Sequence, residues 1–261
     1  MKPETGMQGK ITRMVFGSEA IEIKATIPDT QIENALIRFN LSLDNDEERY
    51  IYFFDTPTLD LLKAGIVARA RRVIGGEHDS TVKSRPVSPV DVSDKWRKAS
   101  GFKIEADASE KGVVKSASFT MPVAKGLIKA VVEGEKSIVK LFTKEQEDFL
   151  AEMTNYPIDF AALAILGPLK ANRWKFEDPA CPWKITAELW RREDGERLME
   201  ASIKAPIVQA AAAIGGFMAF LAEVGAARDT KQQTKTHWAL DYYAKKLRGD
   251  KEATQAKSPK K

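Results

Sequence analysis

In segment after segment of this chain an aliphatic residue alternates with a charged one, a period of two that only an extended strand converts into one apolar and one charged face. Over residues 16–27, Ile21, Ile23 and Ala25 alternate with Glu22, Lys24 and Thr26. Over 66–73, Arg69 and Arg71 share one side and Ala68 and Ala70 the other, and over 80–85 Thr81, Lys83 and Arg85 are in phase. Over 101–108, Lys103, Glu105 and Asp107 oppose Phe102, Ile104 and Ala106. Strands over 164–176, 183–190 and 197–205 carry Arg173 and Lys175, then Glu188, then Glu200, Ser202 and Lys204. Residues 192–195, Arg-Glu-Asp-Gly, make the last two a predicted hairpin.

One such face on an open sheet is ordinary solvated surface. The argument rests on the set, whose polar positions hold full charges of both signs and few amides or hydroxyls. Closing the sheet into an antiparallel barrel, apolar side outward under helices, gathers those charges inside. Facing cations then repel unless an anion lies between them, and neighbouring carboxylates call for a divalent cation. A polyphosphate carrying Mg2+ or Mn2+ meets both demands: Arg offers forked donors to phosphate oxygens, Lys a point charge, and Glu hard oxygen ligands.

Helical spacing predicts helices over 30–43, 124–132, 143–153, 207–227 and 236–247, the third opened by the capping box Thr143 to Gln146. After a strand over 50–54, Asp55-Thr56-Pro57 predicts a short helix through Leu59, Leu61 and Leu62 that ends at Gly65, with Asp55 as its cap. The Pro, Ser, Asp and Lys composition of 86–100 predicts a loop. The expected fold is therefore α+β: a closed antiparallel β-barrel with surrounding helices and a helical C-terminal segment. Its expected organisation is an extension over 1–15, one domain over 16–247, and a disordered Lys-rich tail over 248–261. The Ala-rich stretch 207–227 is expected to pack on the barrel or against a second copy, which leaves a homodimer open.

Charge is nearly balanced, 41 Lys and Arg against 37 Asp and Glu, so a general polyanion-binding surface is not expected and DNA is excluded as a partner. A single cysteine, Cys181, rules out an internal disulfide framework or thiolate zinc cluster and reads as structural. His78 and His237 are the only histidines, a poor supply for histidine chemistry, and His237 reads as a packing or surface residue. Residues 1–10 are polar, without a signal-peptide pattern, and no apolar run reaches the roughly 20 residues a membrane span needs. The expectation is a soluble, cytoplasmic protein.

The order of these segments resembles the CYTH family, the triphosphate tunnel metalloenzymes, which include class IV adenylate cyclases and thiamine, inorganic and fungal-type RNA triphosphatases. The likeness runs over residues 16–204. Its most specific stretch is Tyr52-Phe-Phe-Asp55-Thr56-Pro57, followed by Leu59, Leu62, Gly65 and Ala68-Arg69-Ala70-Arg71. Thr81-Val82-Lys83, Lys103-Ile104-Glu105-Ala106-Asp107, Arg173, Glu200-Ala-Ser202-Ile-Lys204 and Thr234-Lys235-Thr236 are similar to the family's later signatures. The opening motif Glu-x-Glu-x-Lys is here Ala20-Ile-Glu22-Ile-Lys24, and Ser202 stands where a second closing carboxylate is expected.

The resemblance implies phosphate binding by Lys24, Arg69, Arg71, Lys83, Arg173 and Lys204, with Glu22, Lys24, Arg69 and Arg71 the catalytic set. It implies Mg2+ or Mn2+ coordination by Glu22, Glu105 and Glu200, with Asp107 and Glu188 as further candidates; Lys103 and Lys175 read as rim charges. The implied activity is metal-dependent hydrolysis of inorganic triphosphate or a small organic triphosphate. A class IV-type adenylate cyclase, or a non-catalytic tunnel that binds a nucleotide or polyphosphate, are the alternatives, the latter motivated by Ala20 and Ser202.

Overall fold

The alternation does fold as strands. The computed structural model describes residues 17–109, 112–226 and 234–257, and among these nine strands close into one barrel. They are β1 (Ala20–Ile27), β2 (Glu47–Asp55), β3 (Ile66–Val73), β4 (His78–Ser84), β5 (Phe102–Ser109), β6 (Gly112–Val123), β7 (Ala164–Asp178), β8 (Cys181–Arg191) and β9 (Arg197–Pro206). Their order round the barrel is β1-β5-β6-β4-β3-β2-β7-β8-β9, with β9 paired back to β1. The expected all-antiparallel barrel is corrected at one seam, because β1 and β5 run parallel, Glu22 beside Asp107. The reason is topological: directions can alternate round a closed ring only if the strand number is even, so nine strands require a parallel neighbour.

The helices are α1 (Ile32–Arg38), α2 (Asp60–Lys63), α3 (Asp94–Arg97), α4 (Leu127–Val132), α5 (Lys144–Thr154), α6 (Ala210–Glu223) and α7 (Lys235–Lys257). Among the described residues none is long and apolar enough to cross a membrane. The expected extension over 1–15, Phe16 at the start of the first predicted strand, and residues 258–261 of the Lys-rich tail lie outside the described residues, while 248–257, expected as part of a disordered tail, continue helix α7.

The chain forms two compact units. In the first, over 1–49, 85–118 and 170–232, the apolar face of β1 is buried with Ile185, Ala187 and Leu189 of β8 and Met199, Ala201 and Ile203 of β9. Helices α1 and α6 cover this face through Ile32, Ala35, Phe217, Phe220 and Leu221, and Phe39 stacks on Phe220 at 6.0 Å. Each fully buried side chain of this size contributes about 1.5–3 kcal/mol. The Ala-rich helix is thus committed to this core. Gly216 lets it approach Trp183, since a Cβ there would lie 2.8 Å from the indole ring. The stretch 86–100, expected as a loop, holds α3 and buries Val92 and Trp96. Two apolar anchors suffice to dock it, and the surrounding Pro, Ser and Asp hide them from a compositional reading.

In the second unit, over 50–84, 119–169 and 233–261, β3 pairs with β4 in the register Arg69–Thr81 and Arg71–Asp79. Helix α5 has both bonds of its predicted capping box and presents the buried Gln146 to Ser80. Asp55 is almost fully buried at the end of β2 and ties down the turn into α2: its carboxylate accepts from the backbone N–H groups of Thr56 (2.7 Å), Leu61 (2.9 Å) and Leu62 (3.0 Å). Burial nevertheless pushes its pKa above the ordinary aspartate value, and the three N–H donors only partly offset this. Asp55→Ala leaves those donors without an acceptor and is expected to cost about 2 kcal/mol, read as a melting temperature lower by about 4–8 °C. An unchanged melting temperature would show that the turn needs no carboxylate.

Candidate functional site

In the first unit the helices cover the apolar faces of the strands, so the charged faces lie on the opposite side, which in a closed barrel is the inner one. Strand register sets the side chains in rows across this face. Glu22 stands opposite Lys204; Lys24, Ser202, Thr186 and Lys175 follow one another across β1, β9, β8 and β7; Thr26, Glu200, Glu188 and Arg173 form the next row. On the other side of β1, Ala20 and Glu22 stand beside Glu105 and Asp107 of β5.

Lys24 is the hub. Its Nζ lies 2.9 Å from Glu22 and 2.7 Å from Asp107, whose other oxygen accepts from Ser116 Oγ at 3.0 Å. Burial alone would lower the Lys24 pKa, but the Glu22, Asp107 and Glu200 carboxylates reverse this and raise it above the ordinary lysine value. Glu22 is likewise held below the usual glutamate range: burial works against the charge, and the Lys24 and Lys204 ammonium groups more than compensate. Lys204 pairs with Glu105 at 2.6 Å and, although half-exposed, is raised in pKa by Glu22 and Glu105 against the effect of burial. At the β7 end, Arg173 lies 3.6 Å from Glu47 and 3.9 Å from Glu188, and the buried Arg49 adds a guanidinium that pairs with Glu47 and lies 3.8 Å from Glu188.

The excess of negative charge lies at one end of this face. Around β1, β5 and β9 four carboxylates, Glu22, Glu105, Asp107 and Glu200, surround two ammonium groups, Lys24 and Lys204. Where β2 and β7 meet, Arg49, Arg173 and Lys175 gather with Glu47 and Glu188, which offset most of their charge. Among the described residues no three acidic or histidine groups converge on a point as in an all-protein metal cage. Magnesium seldom uses one; it takes one or two carboxylates and completes its shell with water and phosphate oxygens. Glu22 and Asp107 already hold one cation between them, the Lys24 ammonium, and the local excess of negative charge suits a divalent ion. These residues fit Mg2+ or Mn2+ delivered with a phosphate ligand.

In the second unit, Arg71 grips Asp79 through Nε (3.0 and 3.1 Å) and Nη2 (2.9 Å). Arg69 and Thr81 are opposite one another on the same face, Lys83 follows Thr81 in phase, and Thr81 Oγ1 meets Thr120 Oγ1 at 3.0 Å. Their strand carries its helix-facing residue, Ser80, on the other side, against Gln146 of α5.

The predicted site residues therefore fall into groups: Glu22, Lys24, Glu105, Asp107, Glu200 and Lys204 in one, Arg173 and Glu188 beside it, and Arg69, Arg71 and Lys83 on the β3–β4 pair. Lys103 is exposed at the edge of its strand. Glu19 is exposed and precedes β1. Arg49, Asp79, Ser116 and Thr120 were missed by sequence. Arg49 alternates with Ile51 and Asp79 is in phase with Thr81 and Lys83, signals lost because both strands begin earlier than their most apolar residues suggest.

No family model and no curated protein matches the chain. Solved structures do. A candidate adenylate cyclase from Bacillus halodurans superposes with a TM-score of 0.59 at 14% identity, covering 84% of this chain and 97% of that one. A candidate adenylyl cyclase from Hippeastrum, described as having a dominant triphosphatase activity, also gives a TM-score of 0.59 at 14% identity, over 84% of this chain and 93% of that one. A nine-stranded closed barrel with helices over its apolar faces, charged on the other side, has the fold of the CYTH proteins, the triphosphate tunnel.

Proposed function

We propose that this chain is a metal-dependent hydrolase of triphosphate compounds, with the phosphate chain held on the inner charged faces of the barrel strands. The reading is carried by the excess of carboxylates over ammonium groups around β1, β5 and β9, with Lys24, Lys204 and Arg173 on the same face, a mixture that suits a metal ion bound to a polyanion. Glu22 and Asp107, with Glu105 and Glu200 beside them, would hold Mg2+ or Mn2+, which when bound neutralises phosphoryl charge and acidifies coordinated water. Lys24, Lys204 and Arg173, and on the β3–β4 pair Arg69, Arg71 and Lys83, donate to phosphate oxygens and offset the charge that develops as a phosphoryl group transfers. Phosphoryl transfer needs little covalent chemistry from a protein, so positioning and electrostatics supply most of the acceleration.

The test is product analysis with Mg2+ or Mn2+ on triphosphate, thiamine triphosphate and ATP, following phosphate, pyrophosphate and cyclic AMP. Phosphate release from a triphosphate is the expected result. Cyclic AMP and pyrophosphate from ATP would replace it with the cyclase reading that the Bacillus and Hippeastrum neighbours suggest, and binding without product under every metal would leave a non-catalytic tunnel. Arg71→Ala and Lys83→Ala are each expected to weaken triphosphate binding at least about tenfold, the scale of one charge-assisted hydrogen bond. Unchanged affinity in both removes the β3–β4 face from the site.

A further inference from the structure

Helix α6 is apolar on two sides, and among the described residues only one of them meets the core. Ala210, Ala213, Phe217, Phe220 and Leu221 enter the interior of the first unit. On the opposite side Ala212, Gly215, Ala219 and Ala222 are exposed, and Val208, 91% exposed, continues this face on the 3-10 turn Ile207–Gln209 that leads into the helix. From Ala205 to Ala222 the sequence contains no Asp, Glu, Lys or Arg. A surface helix ordinarily turns charged residues to water on the side away from the core, and one that is apolar all round is covered.

The two glycines of α6 differ in what surrounds them. Glycine inside a helix is unfavourable beside alanine and is justified where something approaches the backbone closely. Gly216 has such a neighbour, the Trp183 indole. Gly215 has none among the described residues: a Cβ there would meet nothing within 4 Å, in the middle of the exposed face. The helix ends are unmatched as well. The first turn holds no acid to meet the positive end of the helix dipole, the last turn holds no base, and Glu223 lies at the negative end.

We propose that this face is a dimer interface, with α6 of two copies of the chain packed antiparallel across a two-fold axis at Gly215. The occupant follows from self-complementarity. In such a pair a residue before Gly215 meets the one equally far after it on the second copy: Val208 meets Ala222, Ala211 meets Ala219, Ala212 meets Met218 and Ile214 meets Gly216. Each layer sets at most one long side chain against a small one, and Gly215 lets the two backbones come close. No charge meets its own image near the axis, and Glu223 of each copy is carried to the positive helix end of the other. A membrane suits the face less well, because a helix lying in a lipid interface flanks its apolar side with Lys or Arg, and 205–222 supplies neither. A pair of 14-residue helices is about 21 Å long and falls short of the about 800 Å2 per copy of a standard stable interface, so association is expected in the micromolar range.

Sedimentation velocity on the full chain tests this, and the wild type is expected to pass from monomer to dimer between about 1 and about 100 µM. Ala219→Glu, at an exposed position, is expected to be monomeric at every concentration, with the melting temperature of the dilute wild type. Gly215→Ala is expected to weaken the dimer at least about tenfold while raising the melting temperature of the monomer by about 2–4 °C, opposite effects that a glycine serving only its own helix would not give. A wild type that stays monomeric at about 100 µM overturns the proposal, as does a dimer that Ala219→Glu leaves intact. A wild-type monomer that instead co-sediments with phosphatidylserine vesicles gives the face to a membrane and overturns it too. The triphosphatase reading rests on the opposite face of the strands and survives any of these failures.

Discussion

Replacing Lys24 by Met is expected to lower the melting temperature by about 6–12 °C, to abolish triphosphate binding, and to create a divalent-cation response greater than that of the wild type. The stability loss follows from strand register. Glu22 and Asp107 are neighbours on a parallel pair, and the ammonium between them is what allows both to stay ionised on a largely desolvated face. Removing one partner of such a cluster costs about 3 kcal/mol or more, because the remaining charges are left uncompensated. Met keeps most of the aliphatic stem, so lost packing is a minor part. The two freed carboxylates then offer hard oxygens, and a cation that binds only the folded state stabilises it by mass action. Thermal melts of both proteins with and without millimolar Mg2+ or Mn2+ read this directly. Equal metal responses would show that Glu22 and Asp107 hold no ion, and would return the metal to Glu105 and Glu200 or to another place.

That test turns on Asp107, and its position shows where sequence reading stops. Glu105 and Asp107 alternate in phase, so their common face was legible, as were the charged faces of β1, β3, β7, β8 and β9, each marked by at least one full charge in phase. Which acid sits beside Glu22 depends on how β1 pairs with a strand some eighty residues away, and nothing local encodes that register. The parallel seam was hidden for the same reason. Strand β6 escaped altogether because its polar positions are Ser116, Ser118 and Thr120, and an alternation of hydroxyls with Ala117 and Phe119 is quiet beside one of Lys and Glu.

Gln146 is the opposite case, a residue whose local role was legible and whose larger role was not. Thr143 to Gln146 reads as a capping box from spacing alone, and both of its bonds are present: Gln146 N–H donates to Thr143 Oγ1 at 3.3 Å, and Thr143 N–H donates to Gln146 Oε1 at 3.0 Å. The same Oε1 also accepts from Ser80 Oγ at 3.1 Å, and Nε2 donates to the carbonyls of Ser80 (3.2 Å) and Phe119 (3.0 Å). Every hydrogen-bonding capacity of a fully buried amide is used, and one side chain fastens α5 to β4 and β6 behind the strand that carries Thr81 and Lys83. Gln146→Leu, close in volume, strands two carbonyls and a hydroxyl in the core and removes half of the cap. At about 1–3 kcal/mol for each buried group left unsatisfied, less whatever relaxation recovers, the expected loss is about 4 kcal/mol, a fall of about 8–16 °C in melting temperature. Gln146→Glu separates the amide from mere shape: it keeps the acceptor for Thr143 and Ser80 but turns the Nε2 donor toward Ser80 and Phe119 into a second oxygen, so it should be as damaging at neutral pH and recover in acid, where the protonated group can donate again to one carbonyl. A Gln146→Leu protein that melts within about 2 °C of the wild type would mean that packing alone seats α5, and the β3–β4 arginine and lysine face would then owe its placement to something other than this amide.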